Sequence, residues 1–139
     1  MAWNKQSSSN GGLKKMKKFS KSWASSKKPS KQRKYRLNAP LNIKRKFLSV
    51  HLSKELKLKY KTRNIVIRKN DKVKILRGQF KGKTGMIIKV ITKKAKVFIE
   101  GIENNKKDGT KTYYPIEPSN IMITELNLTD KRRKIGKNE

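Results

Sequence analysis

Nine residues, "RGQFKGKTG" from Arg77 to Gly85, hold three glycines and three cations and no acid. Glycine tolerates positive φ without Cβ strain and lets a backbone approach a ligand with its N–H groups. Arg77, Lys81 and Lys83 add cations of the kind that displace counterions condensed on a phosphate chain. The spacing suits contact with a phosphate backbone. As structure alone, Gly78, Gly82 and Gly85 serve a tight connection between strands ending at Leu76 and starting at Met86, which explains the glycines and leaves the cations unexplained. Phe80 between them either packs into the core and turn or stacks on a base. A nucleotide-binding P-loop does not fit. "GKT" stands at Gly82–Thr84, but the glycine required five residues before Gly82 is Arg77, and Gly85 leads into a strand pattern instead of a helix.

Little other chemistry is available. The 139 residues include no Cys and a single His, so neither a thiolate site nor a pair of imidazoles can form, and a zinc site would need carboxylates that are scarce here. Nucleophile, base and cofactor loop do not come together anywhere, which implies no enzyme, no cofactor and no small-molecule substrate.

Charge sets the class of partner. Lys and Arg number 39 against 9 Asp and Glu, a formal charge of +30, with only 33% hydrophobic residues. A chain this short and polar builds one small domain with extensions. All nine carboxylates lie at or after Glu55, so the first 54 residues carry sixteen Lys and Arg and no acid. That segment repels itself and cannot bury enough apolar surface to offset its ordering entropy. It needs a polyanion: nucleic acid, an anionic membrane or an acidic protein. The longest aliphatic runs are as short as "MII" and "IMI", which argues against a membrane. The N-terminus lacks the apolar core of a secretory signal; it is Ser-rich and acid-free, as mitochondrial transit peptides are, yet its cations are all Lys.

The elements that must position the glycine turn follow from periodicity. Residues 1–30 read as a disordered basic arm whose Trp3, Phe19 and Trp23 are either inert or ready to stack on bases as the arm folds on RNA. Residues 31–64 read as a basic helical extension. Pro40 disfavours helix at Ala39 and suits the first turn of a helix after it. Ile43, Phe47 and Val50, and Leu48, Leu52, Leu56 and Tyr60, keep helical spacing. Ser53 is a candidate N-cap with Glu55 in the first turn. Lys44, Arg45, Lys46, Lys54, Lys57 and Lys61 form the other face, solvated or phosphate-binding. His51 reads as a partly buried or RNA-facing helix residue. Over residues 65–126 the pattern changes to short β-like runs, from "IVI" at Ile65 to "IMITEL" at Ile121, with Asp108-Gly109 suited to a hairpin turn. This predicts a mainly β fold, a small antiparallel barrel. Residues 127–139 form a basic tail, mobile or held by RNA.

The segment "KNDKVKILRGQFKGKTGMIIKV" resembles the KOW motif, with Asp71, a strand through Val73 and Ile75, the turn at Gly78, Lys81-Gly82, then Gly85 and a second strand. Together with "SKQRKYRLNAP", "SVHLSKELKLKY" and "YYPIEPSNIMI", it is similar to the KOW-type large-subunit ribosomal protein numbered twenty-four in bacteria and archaea and twenty-six in eukaryotes. The basic N-terminal extension points to the archaeal or eukaryotic form. The resemblance covers Ser30 to Arg133. It implies an SH3-like barrel in the cytoplasmic ribosome that binds the 5′ region of large-subunit ribosomal RNA early in assembly, near the peptide exit and beside neighbouring large-subunit proteins. The RNA contacts it implies are Gln32, Arg33, Lys34, Arg36, Asn38, Lys44, Arg45 and Lys46 in the extension, and Arg68, Lys72, Arg77, Gly78, Lys81, Gly82, Lys83 and Gly85 around the turn. Glu117 stands where a His is common in relatives. Two rivals remain: a transcription elongation factor, whose separate α/β domain is not seen before Ile65, and a general nucleic-acid binder, which would compact DNA by charge alone.

Overall fold

The structure, a computed structural model, describes residues 19–20, 26–133 and 135; most of the arm expected over 1–30 lies outside them. The chain divides into two compact parts, Met1–Asn38 and Ala39–Glu139.

In the first part, helix α1 (Pro29–Asn38) opens on a proline, which suits the first turn because its missing N–H would have no partner there. It buries none of its residues and ends with Arg36 in its last turn. The Gln32 side chain donates to Ser26 O at 2.9 Å, and the Phe19 and Tyr35 rings lie 4.7 Å apart.

In the second part, α2 (Leu41–Lys46) follows Pro40 as expected, with the N–H groups of Ile43 and Lys44 donating to Pro40 O at 3.0 Å. The helical reading then fails: Ser49–Leu52 is a strand, β1, carrying His51. Leu48, Val50 and Leu52, all buried, also fit the two-residue repeat of a strand, and β1 gains hydrogen-bonding neighbours on both sides. The helix restarts where foreseen, with the N-cap Ser53 accepting from Leu56 N and Glu55 in the first turn of α3 (Lys54–Tyr60).

The remaining strands are β2 (Asn64–Val66), β3 (Lys72–Ile75), β4 (Thr84–Ile91), β5 (Lys96–Ile99), the hairpin pair β6 (Glu103–Asn105) and β7 (Lys111–Tyr113), and β8 (Ile121–Glu125). Asp108-Gly109 turns the hairpin, with Gly109 at φ +76°. The main sheet runs β2-β1-β8-β3-β4-β5. Its pairings are antiparallel except β1 with β8, which is parallel and departs from the purely antiparallel expectation. Alternation along β1, β3, β5 and β8 sends Val50, Leu52, Val73, Ile75, Val97, Ile99, Ile121 and Ile123 into one apolar cluster.

Asp71, at the start of β3, is fully buried. Its carboxylate accepts the N–H groups of Arg68 (2.8 Å) and Asn127 (3.0 Å) and both terminal nitrogens of Arg133, one of them at 2.8 Å. Arg133 Nη1 also donates to Asn127 O at 2.9 Å. The segment read as a mobile or RNA-held tail is therefore anchored in the fold as far as Arg133. A second link, Arg68 to Asp130, is exposed; the Arg132 N–H first, then Arg68, holds the Asp130 carboxyl below its usual range.

Arg133→Ala, which strands the Asp71 charge in the interior, should lower stability by about 3–5 kcal/mol in chemical denaturation. Asp130→Ala, which breaks the exposed pair, should cost far less than Arg133→Ala. Equal effects would mean that the buried pair is not what holds the C-terminal segment.

Candidate nucleic-acid interface

β3 and β4 are joined by the glycine turn, and the conformation of the turn explains two of its glycines directly. Gly78 has φ +96° and Gly82 φ +87°, with open space where a Cβ would stand. Gly85 differs. It lies in β4 outside the left-handed region, and a Cβ there would meet Glu100 O and Ile99 Cγ2 at 2.7 Å. Close packing of β4 on the β5 end requires it, rather than turn flexibility.

Hydrogen bonds fix the second half of the turn. Gly82 N donates to Ile75 O at 2.8 Å, Ile75 N to Lys83 O at 2.9 Å, Lys81 N to Gly78 O at 3.1 Å and Lys83 N to Phe80 O at 3.2 Å. Leu76 N donates to Asn120 O at 2.8 Å, tying the turn to the segment before β8. The N–H groups of Arg77, Gly78, Gln79 and Phe80 make no hydrogen bond among the described residues. Four successive donors on an exposed turn, flanked by the exposed Arg77, Lys81 and Lys83, form a surface suited to an anion. Phe80 takes the packing role: it is half-buried against the core, 5.3 Å from the Tyr114 ring, with Lys83 Nζ 5.3 Å from its centroid.

The remaining predicted contacts lie on the two helices and on either side of Asp71. Arg33, Lys34, Arg36 and Asn38 are exposed on α1, beside Gln32. Arg45 and Lys46 are exposed on α2, where Lys44 is half-buried. Arg68 is engaged by Asp130, and Lys72 Nζ lies 2.7 Å from Glu125 Oε1, so both charges are partly neutralised within the protein.

One group that sequence reading placed on a helix reports the local field. The His51 pKa is lowered, by burial first and then by Lys57, Arg63 and Arg77. β1, α3 and the glycine turn thus contribute to one positive region, assembled from residues up to 26 positions apart that no linear spacing connects.

Over residues 26–136 the sequence matches the family described as the ribosomal proteins numbered twenty-six in eukaryotes and twenty-four in archaea. The chain belongs to that family. The large ribosomal subunit protein uL24 of Methanospirillum hungatei JF-1 is 49% identical to it over 109 residues, 78% of this chain and 91% of that protein. The match spans α1, the whole sheet and Arg133, so this ribosomal protein includes its helical extension in the family pattern. Its place is the ribosome, in the cytoplasm, and its family is one of structural proteins. Among the described residues no helix is long and apolar enough to cross a membrane.

Two outcomes are expected. In an NMR titration the lone imidazole should show a pKa below 6.5, rising when a phosphate polymer is added. Because the folded value is the depressed one, the unfolded chain takes up this proton first as pH falls, so stability should decline on acidification through about pH 6.5. A His51 value at or above 6.5 in the free protein would contradict the positive region. Separately, Gly85→Ala should cost about 1–3 kcal/mol through overpacking, read in thermal or chemical unfolding; an unchanged midpoint would remove the packing role.

Proposed function

We propose that this ribosomal protein is a structural constituent of the large subunit that binds the 5′ region of large-subunit ribosomal RNA and promotes early subunit assembly near the peptide exit. The observation that carries RNA binding is the glycine turn: four N–H groups in succession without a partner among the described residues, with Arg77, Lys81 and Lys83 exposed around them. The location in the subunit rests on the family resemblance.

The mechanism is electrostatic and geometric. Phosphates approach the turn over Gly78 and Gly82, where no Cβ stands in the way. Each phosphate contact releases condensed counterions. Helix α1, which has no buried residue, offers Arg33 and Lys34 to a second stretch of RNA backbone. A short helix that buries none of its residues gains little from packing within its own chain, and a polyanion supplies what is missing. With phosphates neutralised, RNA helices pack more closely, and RNA binding only the folded form stabilises the sheet by mass action. Arg68 and Lys72 contribute less than the turn, because Asp130 and Glu125 already oppose their charge.

A general nucleic-acid binder is the reading that the charge of +30 also favours. Competition separates the two. At about 150 mM salt, a 5′ fragment of large-subunit ribosomal RNA should outcompete duplex DNA of equal phosphate content; equal competition would favour the general binder. Replacing Arg77, Lys81 and Lys83 together by Ala should reduce the salt slope of RNA binding by roughly two to three, at about 0.7–0.9 per contact. An unchanged slope would mean that the turn faces away from RNA.

A further inference from the structure

Beside the glycine turn lies a cleft of about 240 Å³, with the turn from Arg77 to Phe80 on one side and Tyr114 to Glu117, with Asn120, on the other. We infer that this cleft holds a single unstacked RNA base, with the ring of Tyr114 as its stacking surface, while the adjoining turn grips the phosphate of the same strand. The inference rests on the reading of the turn as an RNA-binding element and names what that site takes.

Size comes first. Pockets for drug-sized ligands span about 300–1,000 Å³. A cleft below that range, open to solvent and walled by an aromatic ring, suits one planar base better than a whole small molecule. Chemistry follows. Tyr114 is 39% exposed although its ring rests on Phe80 at 5.3 Å, so one part of the ring is fixed by packing and another faces outward. Bases stack on such rings whatever their identity, because every base has a π-face. At the polar end Asn120 and Glu117 line the cleft, and a carboxamide and a carboxylate are groups of the kind that read a base edge. Lys96 Nζ, 3.0 Å from Glu117 Oε1, orients that carboxylate.

Backbone hydrogen bonds hold the Tyr114 wall in place before any ligand arrives. Tyr114 N donates to Ile102 O at 3.0 Å, and Ile116 exchanges two 2.9 Å hydrogen bonds with Val97. The bond from Leu76 N to Asn120 O ties Asn120 to the residue just before the turn. A preformed slot spares the ordering cost that a flexible one would incur on binding.

The test uses the full chain and the same 5′ ribosomal RNA fragment. Tyr114→Leu keeps apolar packing on Phe80 and removes the ring, whereas Tyr114→Phe keeps the ring. The Leu variant should bind the fragment roughly 5- to 150-fold more weakly, the range of one base–aromatic stack, with its salt slope unchanged. The Phe variant should bind as the wild type does. Chemical probing should find one unpaired base shielded in the wild-type complex and reactive in the Tyr114→Leu complex. Wild-type affinity in the Leu variant, or identical probing patterns, would overturn the inference. Should the Leu variant not fold, the wild-type pattern decides alone: no unpaired base shielded by the protein refutes the slot. Preference for the fragment over duplex DNA without a shielded base overturns only the slot, whereas no preference overturns the RNA reading beneath it as well.

Discussion

A carboxylate with no exposed surface is tolerated only when its lone pairs are filled and its charge is matched, and Asp71 meets both conditions. Its four hydrogen bonds come from three places: the backbone before β3, the backbone after β8 and the guanidinium of Arg133. The strand that follows Asp71 leads directly into the glycine turn. Fixing that strand against its neighbour β8 also fixes the turn, because Leu76 N reaches Asn120 O at the other end of the same pairing. The buried pair and the exposed site are thus opposite ends of one strand.

Around this centre the molecule separates its two resources. Apolar side chains are gathered in a single small cluster of mostly β-branched residues, and the cations stand outside it on helices, turns and strand edges. Among the described residues, the carboxylates of Asp71, Glu117, Glu125 and Asp130 are drawn into ion pairs within the fold. What remains on the surface is strongly positive, and the His51 pKa, lowered first by burial, is lowered further by Lys57, Arg63 and Arg77. A net charge so far from zero destabilises the compact state and favours any ligand that cancels it.

Much of the sheet could be read from the sequence, because runs such as "VKIL" and "KVFI" are β-branched and bounded by turn residues. The Ser53 cap, Pro40 and the Asp108-Gly109 turn were equally local and equally visible. β1 was not, since Val50 fits a helical row with Phe47, and Leu48 and Leu52 another with Leu56, while all three also alternate as in a strand; what decides is the pair of strands that flank it, β2 beyond the next helix and β8 far along the chain. β6 is hidden in "ENN", which has little strand propensity and is held by its partner β7. Gly85 looked like its two fellow glycines, and only the distance to Glu100 O separates them. Arg133 looked like one more basic residue of a tail. Its role depends on Asp71, 62 positions earlier, and no composition or period carries that information. The cleft beside Tyr114 has the same character: its walls are close in space and far apart along the chain.

The place of β8 in the sheet has a consequence for how the protein comes into being. Among the described strands β8 is made last, yet it lies between β1 and β3 and joins the first strands to the rest. A chain still under synthesis can form the β3–β4 and β4–β5 hairpins, but its two halves stay unjoined until residues 121–125 arrive, and Asp71 stays unmatched until Arg133 does. Such long-range closure makes for slow, late folding. Until those residues emerge, the nascent chain is an open polycation.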